Sequence, residues 1–273
     1  MRVSYNTLTD EILAEPRAGL SLKPFAKTAV NMSFGVYHQL NDYRVHINNE
    51  GLSSKRAWHA IAGVEQLIRD DLKLSLEYYY KHLDNLLYYD TADSQYTNLE
   101  YGKAQGVELF VQKKMGRHFY GQAAYSLCFS ERTNPSDGTY AADWDTRHIV
   151  TLITGVKFLK NFEASVKYRF SSGRPYTPFD TANAYFNPLD SLWYADRVAE
   201  RNSDRLPFYS RLDFQLSHTS YTRSGIAITG FVNLQNVLNQ SNVVDYQWDS
   251  KEGKVVPWEQ FRFMPVGGVT VKF

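Results

Sequence analysis

The stretch FEASVKYRF alternates without a break. Phe162, Ala164, Val166, Tyr168 and Phe170 fall on one face of an extended chain, and Glu163, Ser165, Lys167 and Arg169 on the other. The same period of two recurs in LKLSLEYYYK, where Leu72, Leu74, Leu76, Tyr78 and Tyr80 alternate with Lys73, Ser75, Glu77, Tyr79 and Lys81. It returns in RLDFQLSH, with Leu212, Phe214 and Leu216 set against Asp213, Gln215 and Ser217. In FYGQAAYSLCFS it puts Cys128 on the polar face, beside Ser126 and Ser130. A helical period of 3.6 is almost absent, so the chain can only build sheet.

The pattern predicts about eleven strands, at 17–22, 28–38, 57–69, 71–90, 99–113, 119–131, 147–158, 162–172, 209–218, 225–238 and 261–273. Residues 1–16 show no strand pattern and read as an irregular lead-in. The connections sort by length. Those at 23–27, 69–71, 114–118, 159–161 and 219–225 are short, and those at 39–56, 91–98, 132–146, 173–208 and 239–260 are long. A Greek-key sandwich has no reason to sort its loops this way. An up-and-down barrel in an outer membrane does, with tight periplasmic turns and long outer loops. The fold expected is all-β: a partial antiparallel transmembrane β-barrel.

Composition fits that reading where it bears on it. Aromatic residues make up 15% of the chain, and both strands and membrane interfaces favour them. Tyr78, Tyr79, Tyr80, Tyr88 and Tyr89 lie on one strand that overshoots an apolar band of about 25 Å. The long loops hold Trp144, Tyr176, Tyr185, Phe186, Trp193, Tyr194, Trp248 and Trp258. No run of 18 apolar residues exists, so no transmembrane helix is expected, while a barrel strand shows only about 10 alternating residues. The opening MRVSYNTLTDEILAEPR has no apolar signal region. A net charge of +1 gives no case for nucleic acid. The lone Cys128 allows no disulfide within the chain.

Catalytic constellations are missing. His38, His46, His59, His82, His118, His148 and His218 are scattered, with no metal-ligand spacing, nucleophile elbow or phosphate loop. Asp143 and Asp145 in AADWDTRH read as solvated charges rather than a carboxylate pair or cation site. No cofactor, metal site or enzymatic activity is expected.

The chain ends VGGVTVKF, and Gly268, Val271 and Phe273 resemble the terminal signal by which outer-membrane barrels are recognised for assembly. Val266 departs from it, where a polar residue is usual. Three further stretches resemble the barrel of TonB-dependent outer-membrane receptors, especially of Bacteroidetes-type bacteria. They are YRFSSGRPYTP at 168–178, DTRH at 145–148 and FVNLQNVLN at 231–239; GKAQGVELFVQKK at 102–114 also fits. These receptors have about 22 strands around a plugged lumen. The resemblance therefore implies that residues 17–273 are the C-terminal part of a barrel, with plug, coupling segment, leader and earlier strands outside this chain. It implies active uptake of a scarce nutrient: an iron chelate, cobalamin, a peptide or an oligosaccharide. The implied partners are the TonB inner-membrane complex (through the plug), the barrel-assembly machinery and the lipid bilayer; a surface lipoprotein is possible but not favoured, and nucleic acid is not a partner. Outer-loop ligand contacts are expected from Arg174, Tyr176, Trp193, Tyr194 and Trp248, because Tyr and Trp offer large contact area at low entropy cost. The alternatives are a self-contained small outer-membrane barrel (a porin, adhesin or enzyme) and a soluble β-rich binding protein.

Overall fold

A computed structural model describes every residue of the chain except 48, 50, 91 and 92. Residues 1–16 are not irregular: β1 (Arg2–Asn6) and β2 (Glu11–Glu15) form an antiparallel hairpin. Each strand is too short to display a period, and the turn between them places Asp10 at φ 56°. The hairpin sits on the connection before the third long strand. Its Glu11 carboxylate accepts from the Ser54 backbone and hydroxyl, at 3.0 and 2.7 Å.

The main sheet then runs as a meander. Its strands are β3 (Arg17–Phe25), β4 (Thr28–Gln39), β5 (Lys55–Arg69), β6 (Leu72–Asp90), β7 (Gln95–Lys113) and β8 (Phe119–Asn134), with a short spur β9 (Gly138–Ala141) on β8. It continues through β10 (His148–Phe158) and β11 (Phe162–Ser171). Small loop strands follow: β12 (Pro175–Tyr176), β13 (Tyr185–Asn187), β14 (Leu192–Tyr194) and β15 (Asp204–Arg205). The sheet resumes with β16 (Tyr209–Tyr221) and β17 (Ala227–Gln235). A loop hairpin of β18 (Val243–Asp249) and β19 (Lys254–Glu259) precedes the last strand, β20 (Met264–Lys272). Every neighbour in the order β3 to β20 is the next long strand in the chain, and every pairing is antiparallel. The sheet is open, with β3 and β20 at its two edges.

The eleven expected strands are thus all present. One connection differs: β7 starts at Gln95, so residues 95–98 of the span 91–98 are strand, and residues 91 and 92 lie outside the described ones. Residues 48 and 50 of the span 39–56 do so too; the described part of that span includes a single helical turn, α1 (Tyr43–His46), capped by the Asp42 carboxylate.

Register turns the alternation into two faces. Val166 stands between Thr154 and Phe214, and Val232 and Val269 continue that face. Lys167 stands between Ile153 and Asp213 on the opposite face, which also carries Glu77, Glu108, Cys128 and Gln215. The apolar face is not buried by protein: Leu76, Leu152 and Val232 all remain exposed. Among the described residues, the buried hydrophobics are Leu13, Leu52, Tyr140, Ala142 and Leu206, and none lies on one of the eleven long strands. A soluble domain cannot fold around so small a core, and an apolar face of this extent calls for lipid. No helix among the described residues is long and apolar enough to cross a membrane, which leaves spanning by strands untouched. Aromatics mark both rims of the apolar face: Phe119 and Phe158 at the short-turn end, Trp58 and Phe170 at the long-loop end.

The polar face packs by fitting aromatic rings over glycines on the next strand. Tyr79 pairs with Gly106, Tyr120 with Gly155 and Phe231 with Gly268. A Cβ on Gly268 would lie 2.8 Å from the Phe231 ring, so only glycine leaves the ring its place.

Candidate functional site

Two regions carry the chemistry: the polar wall of the sheet and the cap built by the long loops. On the wall, Arg169 faces Arg211 directly across β11 and β16, and Lys167 faces Asp213. Arg211 donates to the Asp213 carboxylate at 2.7 Å and to Gln235 at 3.0 Å, while Asn233 donates to Gln215 at 3.0 Å. Like charges directly opposite in a sheet repel, and the Asp213 carboxylate, opposite Lys167, pairs with Arg211. Where the wall meets the loops, a cavity of about 500 Å³ opens between Arg211, Gln235, Trp258, Glu259 and Arg262. A hydrogen bond from Ser241 and the Arg262 guanidinium hold Glu259 below the usual carboxylate range.

The cap is made by residues 172–208 and 236–263, which pack on each other. Four of the five expected contact residues take part in that packing. Trp248 donates from Nε1 to the Trp193 carbonyl at 2.8 Å, and Arg174 donates to the Val244 carbonyl at 2.7 Å while lying 5.0 Å from the Trp144 ring centre. Tyr176 stands 5.2 Å from Tyr246 and bonds Asp204, and burial followed by that carboxylate raises its hydroxyl pKa. Tyr194 lies apart on the β13–β14 hairpin, stacked on Tyr185 and donating to Asp190. Phe179 and Arg197, which carry no signal in the sequence, complete the Trp248 stack: the Phe179 ring centre lies 5.8 Å from that of Trp248, and the Arg197 guanidinium sits 3.7 Å over the Phe179 ring.

The recurrent motifs turn out to be fasteners for this cap. Asp145 is not a solvated charge; it is 1% exposed. Its carboxylate accepts from the Ser130 backbone at 2.7 Å, from Arg147 at 3.3 Å and from Arg205. Arg205 also donates to the Asp145 and Gly173 carbonyls, at 2.7 and 3.0 Å. Asp143 likewise has partners, accepting from Asn202 at 2.8 Å beside Arg201. In FVNLQNVLN, the buried Asn236 closes the turn onto Gln240 at 2.9 Å. Nearby, Asn242 bonds both the amide and the carbonyl of Ser210, at 2.9 and 3.0 Å. Among the described residues, no group of three or more His, Cys, Asp or Glu is arranged to hold a metal ion.

Polar inside, apolar outside, tight turns at one end and folded loops at the other: these features define a segment of an up-and-down outer-membrane β-barrel. The family description "TonB dependent receptor-like, beta-barrel" matches residues 4–237, and the chain belongs to that family of the outer membrane. Solved structures agree in fold. The outer membrane transporter YddB from Escherichia coli is 14% identical with a TM-score of 0.71, over 99% of this chain and 42% of that one. The ferric-catecholate import receptor Fiu from E. coli is 14% identical with a TM-score of 0.68, over 97% and 36%. The siderophore receptor PiuA from Acinetobacter baumannii is 15% identical with a TM-score of 0.68, over 93% and 35%. The chain therefore spans well under half the length of each. No curated protein matches it in sequence.

Proposed function

We propose that this chain is the C-terminal wall of a receptor that takes up a scarce nutrient in a TonB-dependent way, and that an iron chelate is its cargo. The observation that carries the reading is the cavity of about 500 Å³ at the outer mouth, bounded by the cation-rich polar wall on one side and the loop cap on the other. A ligand arriving from outside meets this surface first. Fiu and PiuA are described as receptors for ferric catecholate and siderophore, which favours an iron chelate over cobalamin, peptide or oligosaccharide. In this reading a plug fills the lumen against the wall, couples to the TonB complex and moves the ligand; Gly268, Val271 and Phe273 direct assembly; and no step is catalytic. The cap contacts Arg174, Tyr176, Trp193 and Trp248 act by shaping the mouth, with Tyr194 at its outer surface.

A self-contained small barrel fits less well. Ten connections separate β3 from β20 in the meander, so both edges run in the same direction and cannot close antiparallel on each other. A closed antiparallel barrel needs an odd number of further strands between them, and eleven more make the expected 22. The test is uptake of ⁵⁵Fe-labelled catecholate and hydroxamate chelates by cells with the full-length gene intact, deleted, or intact in a strain lacking TonB. Uptake that survives either deletion refutes the reading.

A further inference from the structure

Charge is divided unevenly between the two ends of the sheet. The short turns carry Lys23 and Lys27 (β3–β4), Arg69 (β5–β6), Lys113, Lys114 and Arg117 (β7–β8), Lys157 and Lys160 (β10–β11) and Arg223 (β16–β17). Lys272, at the end of β20, joins them. The same rim holds only three side-chain carboxylates, Asp70, Asp71 and Glu163. Ten cations less three anions leave +7 at this end. The whole chain is +1, with 30 cations and 29 anions, so the remaining 20 and 26 give −6.

The three carboxylates are already engaged, Asp70 by Lys27, Asp71 by Lys113 and Glu163 by Lys157. Seven cations remain with no carboxylate in ion-pairing distance among the described residues: Lys23, Arg69, Lys114, Arg117, Lys160, Arg223 and Lys272. All seven are exposed. They are not gathered in a patch. They recur at every short turn, across a sheet about 50 Å wide at the usual strand spacing. Phe25, Phe119, Phe158 and Phe273 lie at the same end. Aromatic residues at a barrel rim mark the depth where hydrocarbon gives way to headgroups, so the cations lie at headgroup depth or just beyond it.

We propose that this basic rim binds the anionic phospholipid headgroups of the periplasmic leaflet and so holds the barrel at its depth in the membrane. A single protein partner would need its acidic groups strung along the whole arc, whereas a leaflet supplies headgroups at every turn. The nutrient is not the occupant, since it arrives at the other end. The proposal rests on the barrel and its orientation, not on uptake, so it can fail while the receptor still transports, or hold if the cargo is something else.

The full-length receptor in detergent, equilibrated with equal amounts of phosphatidylglycerol and phosphatidylethanolamine, is read by native mass spectrometry for the ratio of bound lipids. A cation at an anionic surface is worth about fivefold in occupancy. The expected ratio is fivefold or more in favour of phosphatidylglycerol, falling towards one as ammonium acetate rises from about 20 to 500 mM, since salt screens exposed charges. The combined variant Lys23→Gln, Arg69→Gln, Lys114→Gln, Arg117→Gln, Lys160→Gln, Arg223→Gln, Lys272→Gln, checked for heat-modifiable migration, is expected to bring the ratio to within about twofold of one. A ratio near one in the unaltered receptor, as an acidic protein partner would give, overturns the proposal; so does an enrichment that salt leaves unchanged or that a folded variant retains. If the combined variant does not fold, the salt series on the unaltered receptor decides alone.

Discussion

Removing the Asp145 carboxylate should free the loop 172–208 from the barrel while leaving the sheet intact. Hydrogen bonds to a charged group contribute about 1.5–3 kcal/mol each, and breaking a buried ion pair costs about 3–5 kcal/mol because the partner is left behind. Here the partners are not fully buried: the side chains of Arg147 and Arg205 are 46% and 35% exposed. Water can rescue both guanidinium groups, so the loss falls at the low end, about 3 kcal/mol for Asp145→Ala. At 1.36 kcal/mol per tenfold, the loop should then open about 100-fold more often.

The Leu206 amide is a suitable reporter, because it bonds the Arg174 carbonyl at 3.0 Å and its residue is 5% exposed. Hydrogen exchange of that amide in the full-length receptor should speed up about 100-fold in Asp145→Ala. Asp145→Asn should fall between, since an amide oxygen still accepts from Ser130. Arg205→Ala should cost less in the Asp145→Ala background than in the parent, since the shared carboxylate contact is already gone and only the Arg205 bonds to the Asp145 and Gly173 carbonyls remain to be lost. Exchange within threefold of the parent in Asp145→Ala would refute the reasoning and return Asp145 to the role of a surface charge.

Neighbouring residues should separate the two faces: Val166→Arg, on lipid, costs about 2–4 kcal/mol near the midplane and should abolish assembly, while Lys167→Glu, on the lumen, should be tolerated. Equal loss of outer-membrane receptor from both, read on blots, would contradict the register. Gly268→Val should lower membrane abundance by displacing the Phe231 ring, and Phe231→Ala should restore part of it; no rescue would mean that the glycine matters for another reason. Tyr140, on the β9 spur, has its hydroxyl pKa pushed up to about 12, by burial first and then by Glu100 against an opposing Arg201. Its neutral form is favoured in the folded state, so that contribution is whole below pH 10 and disappears as pH rises towards about 12; Tyr140→Phe should remove a phenolate absorbance step near 12 rather than near 10. Deleting Phe273 should reduce receptor abundance and leave the ligand affinity of the surviving molecules unchanged, which a binding isotherm on the purified variant would check.

What the sequence disclosed and what it hid follow from the range of the interactions. A membrane strand must alternate along its whole length, because one face meets lipid and the other water. The eleven long strands were therefore legible, down to which side of the sheet Cys128, Val166 and Lys167 occupy. The cap obeys no such rule. Trp193 and Trp248 meet across 55 residues, and Arg205 reaches Asp145 across 60; neither pairing leaves a local period. The aromatic content of the loops pointed to Arg174, Tyr176, Trp193, Tyr194 and Trp248 as ligand contacts, but the packing of Arg174 on Trp144, Tyr176 on Tyr246 and Trp248 on the Trp193 carbonyl left no trace in the sequence. Asp145 and Asn236, which lie in two of the stretches that carry the resemblance, are buried side chains that bond backbone and fasten a long loop where its strand ends. If the proposed function holds, ligand identity is set less by those motifs than by what they hold in place, the Arg169–Arg211 wall and the cavity lined by Trp258. Those are the positions at which substitutions should alter affinity without loosening the cap.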